Sequence, residues 1–351
     1  MAAHGTRHRS GGRPTLEEVA ARAGVGRGTV SRVINGSPRV SEATRAAVEE
    51  AVAELGYVPN TAARALAANR TDAIALVVPE PETRFFTEPY FSDVLRGVGA
   101  ELADTEMQLI LTFAGSDRER RRLAQYLAAH RVDGVLLVSV HADDPLPDLL
   151  GQLEIPAVVS GRRSAAETLP SVDSDNYVGA RSAVEHLLSR GRTAIAHIAG
   201  RLDVFGAQRR VDGYRDALVD SGRPVDERLI VEGHFSEEGG RAAMSELLAA
   251  RPDLDAVFAA SDVMAAGARQ ALREAGRRIP DDVALVGFDD SAIARHMDPP
   301  LTSVRQPMEE MGRAMTDLLL TEIADRRPAV SRGLDCPQLV LPTELVVRES
   351  S

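Results

Sequence analysis

The chain has no tryptophan, a single cysteine and no lysine: all 41 of its basic residues are arginine. One cysteine, Cys336, excludes an internal disulfide framework and fits a reducing cytoplasm. The absence of lysine, alongside abundant alanine, reflects a GC-rich genome rather than a function. No apolar run reaches the roughly 18 residues that a membrane-spanning helix needs, so no membrane partner is expected. The N-terminus, MAAHGTRHRSGGRP, lacks the apolar stretch of a secretory signal. The eight histidines show no Cys/His ligand spacing, so neither a metal nor a cofactor is expected.

What is present is enough for a large core: 351 residues, 44% of them hydrophobic, too many for one small domain. Charge is uneven. Ten arginines against six glutamates give residues 1–70 a charge of +4, and the whole chain carries −11, which leaves −15 for residues 71–351. A basic head on an acidic body suits a polyanion-binding domain attached to a body that must not bind DNA indiscriminately. Residues 1–13 read as a disordered basic arm, with His4, Arg7, His8, Arg9 and Arg13 able to add loose phosphate contacts.

Residues Thr15 to Asn35, TLEEVAARAGVGRGTVSRVIN, read as two short helices around a corner at Gly24. Leu16, Val19 and Ala20 give the first an apolar face, and Val30, Val33 and Ile34 the second. A side chain at Gly24 is expected to crowd the crossing helices. Arg27, Thr29, Ser31, Arg32 and Asn35 fall on the remaining faces of the second helix and can hydrogen-bond phosphates and base edges. This is a helix-turn-helix with its recognition helix at about 27–35. Ser41 caps a third helix carrying Ala47, Val48, Ala51, Val52 and Leu55 on one face, and Gly56 ends it.

From Thr15 to Ala67 the chain resembles the LacI/GalR family of bacterial transcription repressors, through TLEEVAARAGV, TVSRVING, VSEATRAAV, LGYVPN and ARALA in order. The resemblance implies DNA contacts at Thr15, Arg27, Gly28, Thr29, Ser31, Arg32, Asn35, Tyr57, Asn60, Ala63, Arg64 and Leu66. Arg27 and Gly28 fall where members choose their operator sequence, and an arginine there pairs most often with guanine O6 and N7. Residues 59–71 match the hinge helix and linker, with Leu66 as the wedge that enters the minor groove at the centre of a palindromic operator.

Beyond Asp72, apolar runs alternate with helical segments: AIALVVP (73–79), QLILTFA (108–114), GVLLVSV (134–140), PAVVSG (156–161), AIAHIAG (194–200), AVFAAS (256–261) and VALVGFDD (283–290). Such alternation predicts an α/β body of doubly wound parallel sheet, in two lobes with a ligand cleft at the strand C-terminal ends. The resemblance implies a type 1 periplasmic-binding-protein fold that crosses between lobes three times, near 160–175, 290–306 and 325–340. The domains are then the head (14–58), the hinge and linker (59–71) and the effector-binding and dimerisation body (72–351). The first lobe would take about 72–165 and 306–330, the second about 170–300 and 335–349.

Matching motifs carry family cleft positions onto this chain. PYFSDVLRGV puts Tyr90 and Phe91 at the lip of the first lobe, and RRVDGY makes Arg210 the group that grips ligand hydroxyls. AASD places Ser261 and Asp262 at a strand end, GFDDS offers the Asp289 carboxylate to vicinal hydroxyls, and Gln306 lies at a crossing. Phe235 falls where relatives keep an aromatic that stacks on a sugar face. The departure is Gly161-Arg162, which stands where the lactose repressor has a cleft aspartate.

The resemblance is strongest to the cellobiose-responsive repressors of GC-rich bacteria. It implies a cytoplasmic, nucleoid-associated dimer, released from its operator by cellobiose or a related β-glucoside, that controls carbohydrate uptake and catabolism genes. VVRESS follows the last predicted strand without a leucine-heptad tail, which points to a dimer rather than a tetramer. Another sugar, or a ligand that promotes DNA binding, stays open. A periplasmic sugar-binding protein would need an export signal and has no use for residues 15–67. An enzyme lacks support, since Gly24, Gly26 and Gly28 fit neither G-x-G-x-x-G nor a phosphate-binding loop.

Overall fold

The computed structural model describes residues 14–34, 37, 39–57, 70–164, 166–325 and 337–351. The basic arm, Asn35, and the hinge positions Asn60, Ala63, Arg64 and Leu66 lie outside the described residues. Two compact units emerge, Met1–Thr71 and Asp72–Ser351.

In the first unit, α1 spans Leu16–Ala23, α2 Arg27–Ile34 and α3 Glu42–Leu55. Thr15 starts α1 with a capping box: its hydroxyl accepts from the Glu18 amide while the Glu18 carboxylate accepts from the Thr15 amide at 2.8 Å. Gly24 ends α1 at φ +67°, and a Cβ built there meets nothing within 4 Å. The corner therefore needs glycine for its left-handed backbone, not for lack of room. Ser41 caps α3, and Gly56 closes it. Val19, Ala20, Val30, Val33, Val48 and Ala51 join the three helices in one small core.

The second unit holds two six-stranded sheets. In the first, β1 (Ala73–Val78) pairs in parallel with β2 (Gln108–Phe113) and β3 (Gly134–Leu137). β4 (Ala157–Ser160) and β5 (Ser171–Ser174) continue it in order. β1 is buried along its whole length because both its faces are covered. Ile74, Leu76 and Val78 meet α5 (Pro89–Leu102) through Phe91 and Val98, and α13 (Met308–Ala324) through Met311 and Leu319. Ala75 and Val77 face α6 (Asp117–Ala128) through Leu123 and Leu127. A short helix, α4 (Glu82–Thr87), links β1 to α5, and α7 (Leu146–Gln152) precedes β4.

The second sheet repeats the plan with β6 (Ile195–Ala199), β7 (Ile230–Glu232), β8 (Ala256–Ala259), β9 (Ala284–Asp289) and β10 (Thr302–Arg305). Its helices are α8 (Asn176–Ser189), α9 (Phe205–Asp220), α10 (Glu237–Ala250), α11 (Asp262–Glu274) and the short α12 (Ala292–His296). β11 (Gln338–Leu341) pairs with β5 in the first sheet, whereas β12 (Glu344–Val346) runs antiparallel to β10 in the second.

These pairings move two of the expected lobe boundaries. Ser171–Ser174 belongs to the first sheet, so the first crossing falls at Asp175, at the far end of the expected 160–175, and the first lobe extends past 165. Gln338–Leu341 is also in the first sheet, so the third crossing lies between Leu341 and Glu344, not within 325–340. Both strands are only four residues long, too short to stand out as runs.

Candidate functional site

The first unit exposes one polar helix face. Arg27 opens α2 with its guanidinium 72% exposed and 2.8 Å from the Glu17 carboxylate. Gly28 is exposed, and the nearest atom to a Cβ built there is an Arg32 nitrogen at 3.9 Å. Arg32 folds back so that its Nε donates to the Gly28 carbonyl at 3.2 Å. Thr15 is exposed, while Thr29 and Ser31 are half-buried. Tyr57, which the resemblance counts among DNA contacts, is instead buried in the head core beside Val19 and Val30.

In the second unit the C-terminal ends of both sheets converge on one cavity, where parallel α/β folds place their ligand sites. It encloses about 810 Å³ of empty space, the open solvent at its mouth included. Nine of the ten expected cleft residues line it: Tyr90, Phe91, Gly161, Arg162, Arg210, Phe235, Ser261, Asp289 and Gln306. The tenth, Asp262, does not. It is wholly buried behind the wall, accepting from the Ser291 amide at 2.7 Å and the Ser303 hydroxyl at 2.6 Å. Burial and the nearby Asp289 raise its carboxyl the furthest of the group.

The second-lobe wall is built on Arg210. α9 buries it to 7% exposure, and its Nε donates to Asn176 Oδ1 at 2.8 Å while Nη1 donates to the Ala260 carbonyl. The Phe288 ring lies 3.7 Å beneath the guanidinium, in cation–π range. Burial draws the Arg210 pKa below the usual arginine value, against the pull of Asp289 and Asp173. Asp289, at the end of β9, sits at φ +113° and accepts from Gln306 Nε2 at 2.6 Å. Such a backbone is costly for a side chain other than glycine and persists only where its surroundings hold it. Phe235 is also held at positive φ, and its ring lies so close over Gly200 that a Cβ there would sit 2.0 Å from it.

The first-lobe wall carries groups that motif reading passed over. Asp173, on β5, accepts from Asn176 Nδ2 at 2.9 Å and stands 3.9 Å from the position of a Cβ on Gly161. The carboxylate on the side of Gly161-Arg162 therefore comes from the next strand. Arg162 itself donates to Gln338 at 2.7 Å and lies over the Phe205 ring. Arg84 pairs with Glu80 and Glu88, and Tyr90 hydrogen-bonds Ser160. Burial pushes the carboxyls of Asp173 and Asp289 up to about 6 and that of Glu88 to about 7. Phe91, expected at the lip, is both a lining residue and part of the first-lobe core. A spacing pattern could not have found Asp173, Asn176 or Glu88, because only the folded sheets bring them beside Arg210.

Comparison with known proteins agrees with this arrangement. Residues 15–60 match the family model described as bacterial regulatory proteins, lacI family, and residues 184–351 match that of the periplasmic binding protein-like domain. The HTH-type transcriptional regulator CelR of Thermobifida fusca is 51% identical over 340 residues, covering 96% of this chain and 98% of the relative. The chain belongs to the LacI family. As a member it is a DNA-binding transcription regulator, with a helix-turn-helix head and a sugar-responsive body in two parallel-sheet lobes. The ribose operon repressor of Escherichia coli K12 is a further relative, 35% identical over 88% of this chain and 93% of its own.

Among solved structures, a transcriptional regulator CelR–cellobiose complex matches this LacI-family chain with a TM-score of 0.76 and 49% identity, over 97% of this chain and all of the other. The lac repressor dimer bound to operator and the anti-inducer ONPF matches with a TM-score of 0.82 and 27% identity, over 97% and 99%. Among the described residues no helix is long and apolar enough to cross a membrane.

Proposed function

We propose that this regulator works in the cytoplasm as a dimer, represses genes for carbohydrate uptake and catabolism from a palindromic operator, and is released by cellobiose or a related β-glucoside. The observation that carries the reading is the convergence of Arg210, Asp289 and Asp173 with the Phe235 ring in one cleft. Ionised carboxylates accept from vicinal hydroxyls, a guanidinium donates to them, and an aromatic face covers the apolar side of a pyranose ring. A relative of half-identical sequence that is named with cellobiose in a solved complex supports the choice of sugar.

Sugar and operator then compete through lobe closure, and their coupling is reciprocal. Exposed Arg27 and the open backbone at Gly28 read the half-site, with Thr15, Thr29, Ser31 and Arg32 contacting the phosphates or bases nearby. Asn35, Asn60, Ala63, Arg64 and Leu66 would complete the contact. A gel shift on a palindromic operator, titrated with cellobiose, longer cello-oligosaccharides, maltose and a purine, tests this. Release by a β-glucoside alone is the expected result. Tightening by any of the ligands would reverse the mechanism.

A further inference from the structure

The sugar-binding cleft ends, on one side, at Ser139 and Val140 of the first lobe and Val204 of the second. The next residues along each chain segment tie the lobes together. The Ala142 amide donates to the Asp203 carbonyl at 2.8 Å, and the His141 ring bridges Asp203 Oδ2 at 3.1 Å and Glu80 Oε1 at 2.7 Å. Glu80 in turn accepts from Ser139 and pairs with Arg84, two residues that line the cleft itself. Glu80 holds His141 from the first lobe, and Asp203 is steadied from the second by Arg201 at 2.7 Å. The Glu80 hydrogen bond raises the His141 pKa above the usual histidine value, which favours the charged ring between its two carboxylates.

This barrier also borders a second polar cavity of about 770 Å³ including open solvent, lined by Glu80, His141 and Asp203 together with Arg120 and Asp144. Asp144 is only 6% exposed. Its Oδ1 accepts from the Leu146 amide at 2.9 Å, but its buried Oδ2 has no hydrogen-bond partner among the described residues, and neither has Arg120 Nε. Both side chains also line the cavity, where a carboxylate and a guanidinium can accept from and donate to the hydroxyls of a ligand.

We propose that His141 and Asp203 form a latch that sets the length of oligosaccharide the cleft accepts, and that the outer cavity, through Asp144 and Arg120, seats one further sugar ring when the latch is open. Shut, the latch confines the ligand to the inner cleft and so favours a disaccharide. A third ring must break the His141–Asp203 contact before it reaches the outer cavity. The inference rests on the reading of the inner cleft as a β-glucoside site.

Calorimetry on the full-length protein with cellobiose and cellotriose tests it, read as the ratio of the two affinities. The wild type should prefer cellobiose, and His141→Ala or Asp203→Ala should shift the ratio toward cellotriose by roughly tenfold, the worth of one charge-assisted contact. Adding Asp144→Asn to His141→Ala should take that gain away. Equal weakening of both sugars would mean that the latch only stabilises closure, and equal binding of both by the wild type would mean that it selects nothing. Either result overturns the proposal, as does a gain that survives Asp144→Asn. If the folded wild type binds neither sugar, the β-glucoside reading itself fails and the latch inference falls with it.

Discussion

The two units place their functional side chains in opposite ways. In the head, Arg27 and Gly28 stand outside a core of small aliphatic residues and touch little but Glu17 and Arg32. In the body, Arg210 and Asp289 are part of the buried framework, held by Asn176, Ala260, Phe288 and Gln306. A reading surface built on the outside can change its sequence without disturbing the fold. A cleft built from the inside cannot, because the groups that line it also hold the lobes.

The sharpest way to break this contrast is Arg210→Ala. It should abolish the sugar response and cost on the order of 3–5 kcal/mol of stability, as loss of a buried, paired charge does. Titration calorimetry and thermal melts would show both, and an unchanged melting temperature would put Arg210 in the same class as Arg27. Asp289→Asn separates the two roles. Sugar affinity should fall roughly 10- to 100-fold through loss of a charged acceptor, while the body melts no lower, because a neutral isostere spares the burial of a carboxylate.

For the head, Arg27→Ala should lower operator affinity by about 1–3 kcal/mol in a gel shift, leaving sugar affinity and melting temperature alone. Next comes pH. Asp173 and Asp289 titrate at about 6 in the folded body, so they are charged above that value and lose charge as the pH falls through it. Below pH 6 each carboxylate should take away up to about tenfold in sugar affinity per unit, roughly a hundredfold per unit for the pair, and Asp289→Asn should reduce the slope to the roughly tenfold per unit of Asp173 alone. The smallest effect is Gly28→Ala. With open space around a Cβ at that position, alanine should stabilise the head by up to about 1 kcal/mol in a denaturant melt, without altering sugar binding.

The same contrast explains what could be read from the residues alone. Helix capping at Ser41 and the long apolar strands are local patterns, and they appear where their spacing predicts. The short strands Ser171–Ser174 and Thr302–Arg305 escaped because their burial comes from neighbours rather than from their own composition, and Gln338–Leu341 because it is a four-residue edge strand with three residues exposed. Asp262 sits beside cleft residue Ser261 in sequence, yet the start of α11 turns its carboxylate away, toward Ser291 and Ser303. Tyr57, which the resemblance counts among the DNA contacts, also packs in the head core, and no spacing pattern marked it as a core residue. Asp173 was invisible for the converse reason, since nothing in SVDS marks it until β5 is laid beside β4.

The three lobe crossings, at Asp175, just before Pro307 and between Leu341 and Glu344, also determine how such a protein can be recombined. Neither lobe is a continuous piece of chain, so neither can be exchanged with a relative as a single cassette. A hybrid sensor needs three joins made in register, one of them beside Gln306 in the cleft wall. The head ends at one boundary, Thr71, and a single splice there gives the same sensor a different address on the genome.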